Sequence, residues 1–506
     1  MLSQKNSSFA ALLLAVVCVS LLCGCHLIVD SHQMKSTMMT CYVSGLHENV
    51  SSELDSRLKP PSFFNSSLVD TGDELVWRLE SGMVNFIYGN DDQSIADLLK
   101  AEEIIEEYDG RAVVSVRDAS SQGAALATNS AALPYRGTPR DRIMLPLVKA
   151  FAYLGKGDEE GFRVELFRLR ESQQAAMDAN EKFLKKEEER LEKDKADNPD
   201  AAGSVDQDEM LKNEQNAVIQ TSLAQTRNLA HSGYGNCMNP FAVFMSAYGF
   251  ARENDFENAL VDYQRLFKIM PANQMVQQYL ATTLRRTGRE VPAELANVPS
   301  LDYVSGQGTV LVIFANGRGP ALREVSLHIP IIIPRHSTLV SAAWPICEYY
   351  QAPFSTAIAT TDEKTFSTVT LAAMDAILAQ EYTQEFPSMI TRMIINVVVK
   401  EIAYQLAKES VRNADVWTRL FVDLFGTTYK LTFNTADTRC WETLPKEYQI
   451  AEFPMPASRK LRIMTDGRNA TDISFPDNAK SAIIYVNAPS LNGAAFTCRV
   501  FPITTH

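Results

Sequence analysis

With 506 residues the chain is long enough for two or three domains with sizeable cores. Hydrophobic content of 46% and charged content of 22% are ordinary for a globular protein. A formal net charge of −13, with a pI near 5.2, excludes a general binder of nucleic acid, whose phosphates such a chain repels.

The N-terminus has the pattern of a lipoprotein signal peptide over residues 1–24. Lys5 supplies a thin positive region, and Ala10 to Leu22 is almost wholly apolar, short for a membrane span and suited to a signal sequence. The run ends in Leu22-Cys23-Gly24-Cys25: a branched apolar residue, two small residues for peptidase access, and a thiol to accept a diacylglycerol. Cys25 is the expected lipidation site; Cys18 and Cys23 lack its combination of a small residue directly before and Leu three back. His26 is not the aspartate associated with inner-membrane retention, so an outer-membrane anchor facing the periplasm is expected in a Gram-negative host. Residues 25–70 are polar, with Lys59-Pro60-Pro61, and read as a flexible tether reaching on the order of 100 Å if extended.

Residues 71–290 predict antiparallel helix pairs. Asp73 is a candidate N-cap for a helix bearing Leu75, Val76, Leu79, Met83, Phe86 and Ile87 on one face; Gly89-Asn90-Asp91-Asp92 turns, and a second helix from about Ser94 ends near Gly110. Arg142–Tyr153 and Phe162–Leu169, joined by Gly155-Lys156-Gly157-Asp158, form a second pair, with Pro146 kinking the first helix or marking its first turn. A third pair runs Phe241–Ala251 and Phe256–Met270, closed by Pro271. Counting back from Pro271, Phe250, Ala259 and Tyr263 fall where tetratricopeptide repeats place an aromatic, a small residue that lets two helices approach, and a second aromatic. Met275–Arg286 adds a capping helix. A charged insertion near 181–215 combines a helical extension, Glu181–Asp197, with a loop at Asn198–Asp208.

From about residue 300 to 506 the chain predicts a β-rich, sandwich-like domain. Gly308–Phe314 and Val325–Ile333 are strands; Asn316-Gly317 and Gly319-Pro320 are turns; another strand begins at Ala342–Pro345. A helical insertion near 371–425 comprises Leu371–Gln384 and Ser388–Lys408. Its apolar run Met389–Val399 is interrupted by Arg392 and Asn396, which favours a buried helix over a membrane span. Strands resume at Thr428–Phe433, Lys460–Met464, Ala482–Val486 and Phe496–Phe501. The fold class is thus α+β.

Several stretches in order resemble an uncharacterised family of bacterial tetratricopeptide-repeat-like lipoproteins. They are Asp73 to Gly82; Arg163-Val164-Glu165 with Arg168 to Arg170; Asn239-Pro240-Phe241 with Phe256 to Tyr263; Ile313 to Gly317; and Ala436-Asp437-Thr438-Arg439-Cys440-Trp441-Glu442-Thr443-Leu444-Pro445. Cys440, where a small polar residue is expected, and Pro146 depart from that pattern. The resemblance implies architecture rather than chemistry; that some relatives are encoded near cell-wall-related lipoproteins is an association only.

No motif for catalysis stands out: no Walker A loop, HExxH, GxSxG or Rossmann fingerprint. Gly306-Gln307-Gly308 reads as a turn into a strand. His231 near Cys237 lacks a third partner, and His328 with His336 lacks a spaced acidic ligand, so neither a catalytic residue, a metal site nor a cofactor is expected. Five thiols besides Cys25 remain after processing: Cys41, Cys237, Cys347, Cys440 and Cys498. Being odd in number, they leave at least one unpaired within the chain, with Cys440–Cys498 a candidate pair against the alternative of buried free thiols. Asp437, Arg439 and Trp441 are the best candidate for a specific role. A carboxylate–guanidinium pair beside an indole can bind a polymer or peptide, or can lock the β region to the helices, and the structural role is favoured. The functional expectation is a non-catalytic, lipid-anchored envelope protein whose helical-repeat surface binds envelope proteins. The alternatives are a regulator of cell-wall synthesis or outer-membrane assembly, and an enzyme with an unrecognised site.

Overall fold

The computed structural model describes residues 31–58, 73–114, 134–202, 217–235, 238–333, 336–412, six positions between 416 and 423, and 436–504. The signal sequence, Cys25, Cys237, the strand expected at Thr428–Phe433 and most of the loop at Asn198–Asp208 lie outside the described residues.

Much of the expected tether is folded. Residues 31–58 form two helices, α1 (Ser31–Ser44) and α2 (His47–Leu58). Met38, Met39 and Tyr42 of α1 and Val50 and Leu54 of α2 are buried in the main core. Burial of these few side chains is enough to hold a segment that composition alone reads as linker.

Three antiparallel helix pairs follow. In the first, α3 (Glu74–Tyr88) and α4 (Asp91–Val114) meet where Gly82 leaves room for Leu98; a Cβ there would lie 2.6 Å from the leucine. Gly89 ends α3 in the left-handed conformation, φ 84°, and its N–H satisfies the helix-end carbonyls. Helix α4 continues through Gly110, the expected stop. In the second pair, Thr138 and Asp141 form a capping box at the start of α5 (Pro139–Gly155), which runs through Pro146. Its partner α6 (Glu159–Asp197) is one unbroken helix of 39 residues, with the charged stretch as its outer half. Helix α7 (Ala217–His231) follows. In the third pair Asn239 caps α8 (Pro240–Arg252), and Asp255 caps α9 (Phe256–Ile269). Asn273 caps α10 (Gln274–Arg286), which packs on α9.

The C-terminal region is β-rich. Strands β1 (Thr309–Arg318), β6 (Val369–Ala373), β7 (Pro445–Pro454), β10 (Ser481–Ala488) and β11 (Thr497–Ile503) form a sheet of order β11-β10-β1-β7-β6. β1 is parallel to β10 and antiparallel to β7. It is buried on both faces, as its unbroken apolar run requires. Leu311 and Ile313 join the helical core with Tyr448, Tyr485 and Phe501. Val310, Val312 and Phe314 face a second sheet, β5 (Thr365–Ser367), β4 (Ala357–Thr360), β8 (Lys460–Thr465) and β9 (Asn469–Ser474), sharing a core with Ile463 and Ile473. The expected turn at Asn316-Gly317 is instead the last stretch of β1, and the chain turns at Gly319-Pro320.

Long elements leave this body together and share a separate core. Strands β2 (Ala321–Ile333) and β3 (His336–Glu348) form a two-stranded antiparallel ribbon. Helix α11 (Met374–Ser410) replaces the two helices expected there and passes through Pro387. Leu327, Ala342 and Trp344 of the ribbon pack with Tyr382, Ile390, Ile394 and Val398 of α11 and Leu223 of α7. Trp344 Nε1 donates to Tyr382 Oη at 2.9 Å, and Phe386 meets the indole edge-on at 5.3 Å. Asn180 of α6 donates to Gln384 at 3.2 Å, and Arg392 pairs with Glu187 and Asp194, so α6 and α11 run outward in parallel. Among the described residues no helix is long and apolar enough to cross a membrane.

Candidate functional site

The segment 436–444 has no regular secondary structure and lies between the helices and β1. Arg439 makes a two-pronged contact with Asp437, Nε to Oδ1 at 2.8 Å and Nη2 to Oδ2 at 2.6 Å. Nη1 reaches Asp73 at 3.3 Å, and the guanidinium lies over the Tyr135 ring, 5.4 Å from its centroid. Asp73 precedes α3 but makes no side-chain cap; its carboxylate serves Arg439 instead. Burial pushes the Asp73 pKa up, against the pull of Arg439. Trp441 is fully buried, with Nε1 donating to Thr443 Oγ1 at 3.1 Å. The structure therefore brings Asp437 and Arg439 together but turns the indole into the core, leaving it no face for a ligand.

Beside them lies a network that the sequence does not announce. Glu80, on the buried side of α3, accepts from the Glu442 amide at 2.8 Å, the Thr443 amide at 3.0 Å and the Thr443 hydroxyl at 2.7 Å. Lys35 of α1 sits 3.1 Å from Glu80 and 3.2 Å from Glu442, and donates to the Cys440 carbonyl. Glu442 also meets Arg318 at the end of β1, at 3.0 Å. Burial pulls the Lys35 pKa down, but Glu442 and Glu80 outweigh it and hold the ammonium above its ordinary value. Four separate parts of the chain are thus tied at one point. Only Glu80 gives a sequence signal, as a carboxylate between Val76 and Met83 on an apolar helix face; Lys35 gives none.

A second ionic cluster occupies the base of α11. The Arg140 amide donates to Glu381 Oε1 at 2.6 Å, and Arg140 Nη2 donates to Cys440 Sγ at 3.0 Å and lies 3.3 Å from Asp141. Tyr135 donates to Asp141, Arg136 pairs with Glu385, and Lys446 pairs with Asp375. Glu381 Oε2, Asp375 Oδ1 and Arg140 Nε and Nη1 are buried with no hydrogen-bond partner. Burial pushes Glu381 up to about 7 despite Arg140, and Asp375 up to about 6 despite Lys446. The Cys440 thiol is likewise held above its ordinary pKa by burial, against Arg140 and Lys35. Cys440 and Cys498 are both free thiols, so the pair considered from sequence does not form; Cys440 is enclosed beside Arg140 and Cys498 lies on β11.

The residues expected from the sequence to pack a repeat fall on α8, α9 and the turn after α9. Ala259 and Tyr263 are buried, Phe250 stacks on Phe167 at 4.9 Å with Arg170 above it, and Pro271 lies in the turn. Tyr263 and Tyr279, stacked at 5.3 Å, border a shallow cleft with Phe256, Tyr303 and Arg286, with room for about one water molecule. Behind it the Glu452 carboxylate accepts from Tyr279, Ser305, the Gly306 amide and Thr309 at 2.5–2.8 Å. His231 ends α7 and His328 lies exposed on β2. Among the described residues no group of three or more His, Cys, Asp or Glu is arranged to hold a metal ion. No protein-family model, no curated protein and no solved structure matches this chain.

Proposed function

We propose that the protein is a non-catalytic, lipid-anchored component of the bacterial envelope, facing the periplasm, whose tetratricopeptide-repeat-like helix pairs bind other envelope proteins. The observation that carries the anchor is Leu22-Cys23-Gly24-Cys25 at the end of a short apolar run. The binding role draws support from the α8–α9–α10 array, in which Ala259 sits at the helix contact and aromatics flank it, an arrangement that stacks helices and leaves their outer faces for a partner. A scaffold also accounts for the chemistry at hand. The ionisable clusters are enclosed and engage one another, and Trp441 joins two regions instead of meeting solvent.

Metabolic labelling with a palmitate analogue tests the anchor: label is expected on the wild type and absent from Cys25→Ala, and label that persists in Cys25→Ala overturns it. A photoreactive residue at Val261, exposed on α9, tests the surface. It is expected to cross-link a reproducible envelope protein in cells, while one at Leu491, exposed beside the end of α1 and outside the α8–α9–α10 array, does not. Equal patterns from the two positions overturn the binding role.

A further inference from the structure

We infer that the outer face of α1 lies against the phospholipid headgroups of the membrane that holds the anchor. This rests on the lipid-anchor reading and extends it to a surface. Ser31, where α1 begins, is the sixth residue after Cys25, and six residues in any conformation span at most about 20 Å. Thr37 lies six residues farther along the helix, about 9 Å. A lipid on Cys25 therefore keeps this face within about 30 Å of its own attachment point.

Helix α1 is fastened to the body along its length, so it does not peel away to lengthen that leash. Near its start Lys35, with no side-chain exposure, is held by Glu80, Glu442 and the Cys440 carbonyl. In its middle Met38 and Met39 lie in the main core. At its end Tyr42 donates to Asn487 at 3.3 Å, Ser490 donates to the Val43 carbonyl at 2.6 Å, and Asn492 donates to the Ser44 carbonyl at 3.0 Å. The anchor thus positions the whole body and not a loose segment.

The chemistry of the exposed face suits that place. From Ser31 to Leu46 the sequence holds one Lys and no Arg, Asp or Glu, and that lysine, Lys35, is turned inward. Among the described side chains of α1, Ser36, Thr37 and Thr40 are the exposed ones. The neighbouring α2 carries Glu48, Glu53 and Asp55. In a chain of net charge −13, a face without carboxylates is one that anionic headgroups do not repel. Its hydroxyls stay hydrogen-bonded among headgroups and water, so contact strands no polar group. The same side chains include none of the aromatic or Arg anchors on which protein partners dock, which argues against a second chain as the occupant. A short leash imposes a local concentration of roughly millimolar order, at which even a weak surface affinity is filled.

A fluorophore attached through azidophenylalanine in place of the exposed Thr37 tests this. The full-length lipidated protein is placed in phosphatidylethanolamine–phosphatidylglycerol vesicles whose headgroups carry nitroxides. Protein that floats with the vesicles, melts as the parent does and is quenched at least twofold is the expected result. An insert of about twenty Gly and Ser residues between Cys25 and α1 loosens the leash and is expected to remove at least half of that quenching. Floating protein whose fluorophore escapes quenching overturns the α1 contact and leaves the anchor standing. Equal quenching with and without the insert overturns the seating of α1 by its leash. Protein that does not float overturns both the contact and the anchor.

Discussion

Around Lys35 the buried charges close on one another, whereas at the base of α11 they do not. The Lys35 ammonium meets two carboxylates and a carbonyl, Glu80 accepts three further hydrogen bonds, and Glu442 is held by Lys35 and Arg318. At the α11 base Glu381 uses one carboxylate oxygen, Asp375 one, and Arg140 leaves two nitrogens without partners. Both groups are enclosed, so burial does not separate them; satisfaction does. A closed cluster resists the removal of any member, while an open one responds to a change of protonation, which relieves a charge that nothing neutralises.

The largest expected effect therefore belongs to the closed cluster. Lys35→Met leaves the buried Glu80 without its cation and Glu442 with Arg318 as its cation, and should cost about 5 kcal/mol, near the upper end for breaking a buried ionic group. Urea denaturation measures it. Adding Glu80→Gln should recover part of the loss by removing the stranded charge. A loss below about 1 kcal/mol for Lys35→Met would erase the contrast between the two clusters.

Trp441→Ala comes next. It opens a cavity in the same junction and frees Thr443, for about 4 kcal/mol. A strong fall in melting temperature is the expected result; an intact fold with lost partner binding would return the Asp437–Arg439–Trp441 segment to the role of a recognition site.

The open cluster should show itself through pH. Glu381 near 7 and Asp375 near 6 bind protons in the folded state that the unfolded chain, at ordinary carboxylate values, has released by about pH 5. The folded state holds more protons between those limits, so stability declines as pH rises through 6 and 7. The Glu381 contribution is at most about 3 kcal/mol between pH 5 and 8. Glu381→Gln keeps an acceptor for the Arg140 amide while removing the proton, and should flatten most of this slope in urea midpoints. A slope unchanged by the substitution would place the pH response elsewhere.

How much of this could be read from residues follows a physical divide. Local signals carried the helix pairs: the turns at Gly89–Asp92 and Gly155–Asp158 depend on neighbours in sequence, and α3, α4, α5 and α6 begin or end beside them. The stop expected at Gly110 and the break expected between Gln384 and Ser388 both failed; at the second, Tyr382 and Ile390 are buried on either side of Pro387, and that packing outweighs one poor helix residue. β4, β5, β6, β7 and β9 escaped notice, as their alternation is short or mixed; Leu371–Ala373, read as the start of a helix, are the end of β6, and β7 takes its place only between β1 and β6. Of the candidate site, Asp437 and Arg439 were legible since they pair two residues apart. Lys35, 45 residues from Glu80 and over 400 from Cys440, was not, because nothing local marks a lysine that a distant carboxylate will bury.

The smallest effect gives the comparison its scale. Arg289 and Glu257 join α9 to the stretch after α10 at 3.0 Å, the same separation as Arg318 and Glu442. Yet Arg289 and Glu257 are 61% and 60% exposed, whereas the Glu442 side chain has no exposure. In water the charges of the outer pair are already well solvated, and holding two long side chains together offsets much of what their attraction gains. Arg289→Ala should therefore shift stability by less than about 0.5 kcal/mol, and adding salt should not enlarge it. Arg318→Ala, with equal geometry, strands a buried carboxylate oxygen and should cost several-fold more. Equal losses from the two substitutions, measured in one urea series, would mean that separation and not enclosure sets the worth of an ion pair in this protein.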